Sequence, residues 1–191
     1  VSNAFIDDGR DVLISGIDTT EAIVVAKQRA AEGAAVWAIP YDFEGACEEA
    51  PDICLGVPYF NWGPSYLETV KAVQDGTWEA SWDWNGPDWM DINNHDTSHV
   101  GFLYGNGLTD EDKATLDEFI AGLAAGALGE EGGINLWVGP LSFQDGSVFL
   151  EEGEVATFKQ VWFQAANADE ATAPEEVTPP QLLAGVQGTS K

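Results

Sequence analysis

Residues 11–39 read DVLISGIDTTEAIVVAKQRAAEGAAVWAI, and this stretch decides the fold class. Its first apolar run, DVLIS, ends at Gly16 and is typical of a buried parallel strand. A helix is predicted next, with Asp18 as its N-cap and Gly33 after its last turn. A second apolar run at residues 34–39 completes a strand–helix–strand unit. The unit predicts an α/β fold with a right-handed crossover.

A further strand and helix are predicted after this unit. Residues 53–60 favour a third strand, and Pro64 stands at the first-turn position that proline favours in helices. Gly76 is expected to end this helix, because glycine adopts the left-handed conformation at helix ends without steric cost. Apolar side chains recur at a spacing of three and predict a single apolar face on this helix: Leu67, Val70 and Val73.

The remaining residues predict shorter elements. Residues 78–98 are rich in Trp, Asp and Asn and favour a packed loop between lobes, with a stacking site for sugars or bases as the alternative. Thr109 is expected to cap a helix, and residues 144–146 to form the turn of a β-hairpin. A short helix is predicted near residues 158–164, and residues 167–180 read as a loop or linker.

The chain is strongly acidic, with a net charge of -26 over 191 residues. Seven Lys and Arg residues stand against 33 Asp and Glu residues, which gives the surface a negative potential. Nucleic acid polymers and anionic lipid surfaces are therefore poor partners. The acidity favours solubility or adaptation to salty surroundings, and an acidic site for a cationic ligand remains an alternative.

Cys47 and Cys54 are the only cysteines of the chain. They flank a Pro- and Glu-containing loop, where a disulfide is sterically reasonable and favours an oxidising compartment. Half of a metal site is the alternative, but no second pair of ligands completes it. The sequence contains no apolar run of the length that a transmembrane helix requires.

Catalytic and metal-binding motifs are weak in this sequence. His95 and His99 are four residues apart, but their polar segment lacks a helical apolar stripe and the Glu of a zinc protease motif. No Gly-x-Ser-x-Gly turn presents a nucleophilic serine. We therefore expect no catalytic residue, no metal and no cofactor, and the residues favour binding over catalysis.

Asp42 and Gly16 are the candidate binding residues that follow from the predicted sheet. Each comes after a predicted parallel strand, and ligands of open α/β sheets bind at the carboxyl ends of the strands. The Asp42 carboxylate could accept hydrogen bonds from ligand hydroxyl or amino groups, and Gly16 would let backbone N–H groups approach the ligand. The alternative is that both residues only shape turns.

Several short motifs follow one another along the chain: Gly16, Gly33, Asp42, Tyr59-Phe60-Asn61-Trp62-Gly63-Pro64, Asp75-Gly76-Thr77-Trp78, Gly139-Pro140-Leu141, Gln144-Asp145-Gly146, Gly153-Glu154 and Leu183-x-Gly185-Val186-x-Gly188. Their order resembles the C-terminal part of the basic membrane protein family, which comprises extracytoplasmic solute-binding lipoproteins of ABC importers related to purine nucleoside receptors. The resemblance covers most of residues 5–188 and implies a two-lobed, type I Rossmann-like architecture that is incomplete in this chain. Residues 1–58 would end the distal lobe, residues 59–130 would cross the hinge and return, and residues 131–191 would contain the hairpin, a short helix and a tail.

The resemblance also implies a function and a site. It implies an extracytoplasmic protein, anchored by a lipid on an absent N-terminal segment, that delivers a small polar, nucleoside-like ligand to a membrane permease. Asp42 resembles the ribose-binding carboxylate of nucleoside receptors, and Tyr59, Asn61 and Trp62 are further candidate contacts, with Tyr59 or Trp62 stacking on the ligand. The family's usual Lys has no counterpart near Tyr59, which departs from the nucleoside-binding pattern. An extracellular carbohydrate hydrolase and a sensory ligand-binding domain are the alternatives.

Overall fold

The computed structural model describes residues 1–81, 83–129, 136–163 and 165–167. The chain forms two compact units, Val1–Leu116 and Asp117–Lys191. Among the described residues, no helix is both long and apolar enough to cross a bilayer. The helices and strands are, in chain order, α1 (Ser2–Asp7), β1 (Val12–Ile14), α2 (Glu21–Ala31), β2 (Trp37–Ile39), β3 (Gly56–Phe60), α3 (Gly63–Asp75), β4 (Val100–Tyr104), α4 (Asp110–Ala127), β5 (Leu141–Ser142), β6 (Val148–Leu150) and α5 (Phe158–Phe163).

The predicted strand–helix–strand unit is confirmed in the first compact unit. Strands β1 and β2 are parallel, with Leu13 opposite Ala38, and α2 connects them. The inner face of α2 buries Ile23 and Ala26 almost completely. These side chains belong to an apolar cluster between the helix and the sheet, and the cluster fixes the position of the carboxyl ends of both strands. Its buried members are Leu13, Ile23, Ala26, Val36, Ala38, Ala50 and Cys54.

The predicted start of α2 is wrong by two residues. The helix begins at Glu21 with Thr20 as its N-cap residue, so Asp18 lies outside it. Residues 17–19 form a tight turn, in which the Thr19 N–H donates to the Ile17 carbonyl. The helix therefore does not begin directly after Asp18. The Thr19 side chain hydrogen-bonds to Glu21 instead and lowers the pKa of that carboxyl.

The third predicted strand is β3, which has a neighbouring segment on each side. Isolated parallel bridges join the segment around β3 to the end of β2, pairing Ala38 with Cys54 and Asp42 with Tyr59. On its other side β3 pairs antiparallel with β4, which the sequence did not reveal. Strand β4 has an irregular pattern of apolar residues and glycine, and its partner lies far away in sequence, so no local periodicity marks it.

The connection from β2 to β3 consists of two 3₁₀ turns, Glu44–Glu49 and Pro51–Ile53. A disulfide joins Cys47, in the first turn, to Cys54, just before β3. The Cys54 side chain is fully buried in the apolar cluster of the first unit. The disulfide therefore attaches the first 3₁₀ turn to the core of this unit.

Helix α3 begins and ends where the sequence predicts, and its apolar face is exposed. Proline stands in its first turn, and Gly76 closes it in the left-handed conformation with φ 67°. Its apolar side chains Leu67, Val70 and Val73 are 55%, 52% and 60% exposed, so the face that they form is largely uncovered in this structure. Local signals specify where a helix begins and ends, but they do not specify what covers it.

The second compact unit contains the predicted hairpin. Strands β5 and β6 are antiparallel, and Gly146 has a φ of 87° in the turn between them. The first strand is limited to Leu141–Ser142, and residues 130–135 lie outside the described residues. Helix α5 matches the predicted short helix up to Phe163, whereas Gln164 and most of the predicted linker lie outside the described residues.

Candidate functional site

A recess of about 270 Å³ lies where the chain leaves β2 and where β3 ends. It belongs to the first compact unit and contains four of the five residues that the sequence nominated as ligand contacts. Carboxylates, an imidazole and several aromatic rings surround it. The residues that line it are Asp42, Phe43, Glu44, Tyr59, Phe60, Asn61, Trp62 and His95.

Asp42 stands in an unusual backbone conformation at the edge of this recess. It is the only non-glycine residue with a positive φ, 79°, among the described residues. Its N–H donates to the Pro58 carbonyl at 3.0 Å, and its own carbonyl accepts from the Phe60 N–H at 3.1 Å. Strained backbone of this kind persists only where the surroundings hold it, and it is concentrated at ligand sites. Pairing with β3 thus fixes Asp42 against the recess.

Tyr59 forms part of the wall of the recess and is only 5% exposed. Its ring lies over the backbone of Gly101, its partner in β4, where a larger residue would collide with the ring. The hydroxyl donates to Oδ1 of Asn93 at 3.2 Å. Burial, together with the negative charges of Glu44 and Asp91, raises the pKa of this hydroxyl. The site thus keeps Tyr59 protonated in a negative local field.

Asn61 holds the neighbouring loop in place. Its Nδ2 donates to the carbonyls of His95 and Ser98 at 2.8 and 2.7 Å, and its Oδ1 accepts from the Gly63 N–H at 3.3 Å. The amide is therefore used within the protein, on the loop that carries His95. The structure places Asn61 at the recess as a residue that positions this loop, and its role as a ligand contact stays a prediction.

The polar loop of residues 88–99 is held by its own hydrogen bonds. Carboxyl or amide oxygens of Asp88, Asp91 and Asn94 each accept from a backbone N–H two residues later. A hydrogen bond from Thr97, followed by that from the Met90 N–H, lowers the pKa of Asp88. Among the described residues no group of three or more His, Cys, Asp or Glu side chains is arranged for a metal ion. Trp82, in the preceding Trp-rich segment, lies outside the described residues.

Aromatic side chains form a row that leads out of the recess. The ring centroids of Tyr41 and Phe60 are 5.7 Å apart, those of Phe60 and Trp62 are 5.3 Å apart, and those of Trp62 and Tyr66 are 6.1 Å apart. Trp62 is 55% exposed and Tyr66 64% exposed. The row therefore presents ring surface to solvent, where a flat or methylated ligand group could pack.

Glu44 and His95 are site residues that the sequence did not nominate as ligand contacts. The Nε2 atom of His95 lies 3.5 Å from Oε2 of Glu44, so the polar loop meets the first 3₁₀ turn across the recess. The His95 ring also lies beside Tyr59, with centroids 6.1 Å apart. The two residues come from distant parts of the sequence, and only their proximity in space identifies them.

Gly16 does not line this recess. It lies at a second recess of about 740 Å³, formed by α1, β1 and the start of α2, with mainly apolar walls. Gly16 and Asp42 do follow neighbouring parallel strands as predicted, but the chain after β2 turns toward β3 and takes Asp42 with it. A ligand role for Gly16 therefore stays a prediction that the recess at Asp42 does not require.

A serine and a histidine also meet near the start of α3. The Ser65 hydroxyl lies 2.8 Å from Nδ1 of His99, within the distance of a nucleophile and its base. The Nδ2 atom of Asn85 donates to the same hydroxyl at 3.2 Å. Among the described residues, no hydrogen bond to the other ring nitrogen of His99 orients the imidazole. The hydrogen bond from Asn85 attaches the Trp-rich segment to the start of α3.

Comparisons with known proteins relate the chain to binding proteins. No protein-family model matches it. It is 32% identical over 157 residues to a purine-binding protein of Brucella abortus, and the match covers 81% of this chain and 39% of that protein. It is 31% identical over 85 residues to a protein of Haloferax volcanii named as an ABC transporter glucose-binding protein, covering 44% of this chain and 20% of that protein. The chain thus spans less than half the length of either relative.

Proposed function

We propose that this chain belongs to a solute-binding protein of an ABC importer and that the recess at Asp42 contacts the ligand. The observation that carries the proposal is the convergence of Asp42, Tyr59, Asn61 and Trp62 on one recess. The names of the two relatives, a purine-binding protein and an ABC transporter glucose-binding protein, support the same function.

The geometry of the recess suits binding. Asp42 and Glu44 are hydrogen-bond acceptors, and Phe60 and Trp62 are ring surfaces, which together are the groups that orient a small polar ligand. The ligand of one relative makes a purine or nucleoside the first class to test. The Asp42 carboxylate would accept hydrogen bonds from ribose hydroxyls or amino groups, and Trp62 would stack on the base.

The architecture and the cellular location of the whole protein are part of the same proposal. The whole protein would have the two-lobed, type I architecture of the basic membrane protein family, with residues 1–58, 59–130 and 131–191 in the positions that the resemblance implies. It would work outside the cytoplasm, attached by a lipid, and present its ligand to a membrane permease. The Cys47–Cys54 disulfide supports an oxidising compartment, where such bonds persist.

The test is a calorimetric titration of the purified chain with adenosine, hypoxanthine, glucose and choline. We expect saturable binding of one of these ligands and about tenfold weaker binding by the Asp42→Ala variant. Asp52→Ala, which removes a carboxylate outside the recess, serves as the control and should bind like the unaltered chain. Absence of saturable binding for all four ligands would contradict the proposal.

A hydrolase is the second candidate, and the Ser65–His99 contact is the observation in its favour. The measurement is release of p-nitrophenol from p-nitrophenyl acetate and from p-nitrophenyl glycosides. We expect no turnover above that of the Ser65→Ala variant. Turnover that disappears in this variant would assign the chain to an enzyme class instead.

A further inference from the structure

The recess at Asp42 combines negative charge with exposed aromatic rings. Asp42 and Glu44 contribute carboxylates, and Phe43, Phe60 and Trp62 contribute rings that are 64%, 37% and 55% exposed. Aromatic faces attract cations through the negative charge density of the ring, with Trp the strongest. Carboxylates beside such rings attract cations directly, so both kinds of group favour a positively charged ligand.

Positive side chains are correspondingly scarce at the recess. Among the described residues that line it there is no Lys or Arg, and the imidazole of His95 lies against Glu44 at 3.5 Å. Several described cations are engaged elsewhere, as in the ion pairs Lys27–Glu49 and Arg29–Asp7. A phosphate or carboxylate on a ligand would thus meet two carboxylates with no Lys or Arg to compensate. Charge repulsion therefore disfavours anionic ligands.

The Phe43 ring, at the recess, packs against the backbone of Gly45. Gly45 follows Glu44, and a methyl group at this position would lie 2.6 Å from Cζ of Phe43. The absence of a side chain at Gly45 therefore allows the Phe43 ring to lie across the backbone beside the recess. Phe43 and Glu44 are consecutive residues and both line the recess, so one short segment of its wall contributes apolar surface and negative charge.

We infer that the ligand bound in this recess is an organic cation, whose ammonium or alkylated ring nitrogen packs on Trp62 and Phe43 and is neutralised by Asp42 and Glu44. The inference rests on the proposed function and adds the charge of the ligand to it. Carboxylates would provide the larger part of the attraction at low salt, and the rings would provide the part that survives at high salt.

The test uses a pair of probes of the same shape. Choline carries a quaternary ammonium, and 3,3-dimethylbutan-1-ol replaces that nitrogen with carbon. In calorimetric titrations of the full chain, we expect choline to bind at least about tenfold more tightly than the alcohol. Phosphocholine, which adds a phosphate to the same ammonium group, should bind more weakly than choline.

Variants separate the two sources of attraction. Asp42→Asn and Glu44→Gln keep the shape of each side chain and should each weaken choline binding about fivefold to tenfold in 50 mM salt. Glu48→Gln makes the same change of charge in the same 3₁₀ turn but outside the recess, and it should have no effect. Trp62→Leu should weaken binding at high salt as much as at low salt.

The outcomes distinguish the inference from the function on which it rests. Equal binding of choline and its neutral isostere, or binding of adenosine without binding of choline, would overturn the cationic ligand and leave the proposed function standing. Choline binding that is unaffected by Asp42→Asn and Glu44→Gln would also overturn the inference. Absence of binding for choline, adenosine and glucose alike would overturn both.

Discussion

At the scale of single residues, Asp42 combines backbone strain with a position at the recess. Its φ of 79° is costly for a residue with a Cβ atom, and glycine removes this cost. We expect Asp42→Gly to be about 1 kcal/mol more stable than Asp42→Ala and at least as stable as the unaltered chain. Both variants lack the carboxylate and should bind ligand more weakly.

The measurement for Asp42 is urea unfolding of the three proteins, followed by tryptophan fluorescence. Gly33, which also has a positive φ, provides the matched control, because Gly33→Ala should destabilise the chain. If the Gly and Ala variants at residue 42 had equal stability, strain at this position would not be a property of the protein.

Asn61 is a second residue whose truncation should lower the stability of the chain. Truncation to Ala removes its hydrogen bonds to the His95 and Ser98 carbonyls and to the Gly63 N–H. We expect Asn61→Ala to lower the free energy of unfolding by about 1–3 kcal/mol, because acceptors in the loop lose their partner. The exposed Asn3, which accepts one hydrogen bond from Arg29, is the control, and Asn3→Ala should change stability by less than about 0.5 kcal/mol. Equal effects of the two variants in urea unfolding would contradict this role.

At the scale of elements, the disulfide determines how firmly the first 3₁₀ turn is attached. The Cys47–Cys54 bond closes a short loop, for which loop entropy gives roughly 2–3 kcal/mol of stabilisation. We expect dithiothreitol to lower the midpoint of urea unfolding accordingly and to weaken ligand binding, since Phe43 and Glu44 adjoin this turn. The Cys47→Ser, Cys54→Ser double variant should resemble the reduced chain and be insensitive to dithiothreitol. A reduced chain with unchanged stability would show that the bond contributes nothing.

Helices α2 and α3 test the difference between a buried and an exposed apolar face. Val70 on α3 is 52% exposed, whereas Ile23 on α2 is 1% exposed. We expect Val70→Ala to change the free energy of unfolding by less than about 0.5 kcal/mol, and Ile23→Ala to lower it by about 2–5 kcal/mol. Similar losses for both variants in urea unfolding would mean that the α3 face is covered in solution.

These elements also show how far the sequence could predict the structure. Local signals were sufficient for the strand–helix–strand unit and for the ends of α3, because apolar runs, proline and glycine act within a few residues. They were insufficient for β4, whose pairing with β3 joins distant residues, and for the exposed face of α3. Asp42 was predicted as a ligand contact because ligands bind at the carboxyl ends of parallel strands. Glu44 and His95 were missed because they lie in two connecting segments that are distant in sequence and meet only in the folded chain.

At the scale of the whole molecule, the net charge of -26 opposes folding through repulsion among carboxylates. Salt shortens the screening length from about 10 Å at 0.1 M to about 3 Å at 1 M and should relieve this repulsion. We therefore expect the melting temperature at pH 7 to rise when NaCl is raised from 0.1 to 1 M. At pH 4.5, where part of the carboxylates are protonated, the rise should be smaller. The comparison at two pH values is the control, because strengthening of apolar burial by salt is common to both. Equal increases at pH 7 and pH 4.5, measured by scanning calorimetry, would mean that charge repulsion does not limit the stability of this chain.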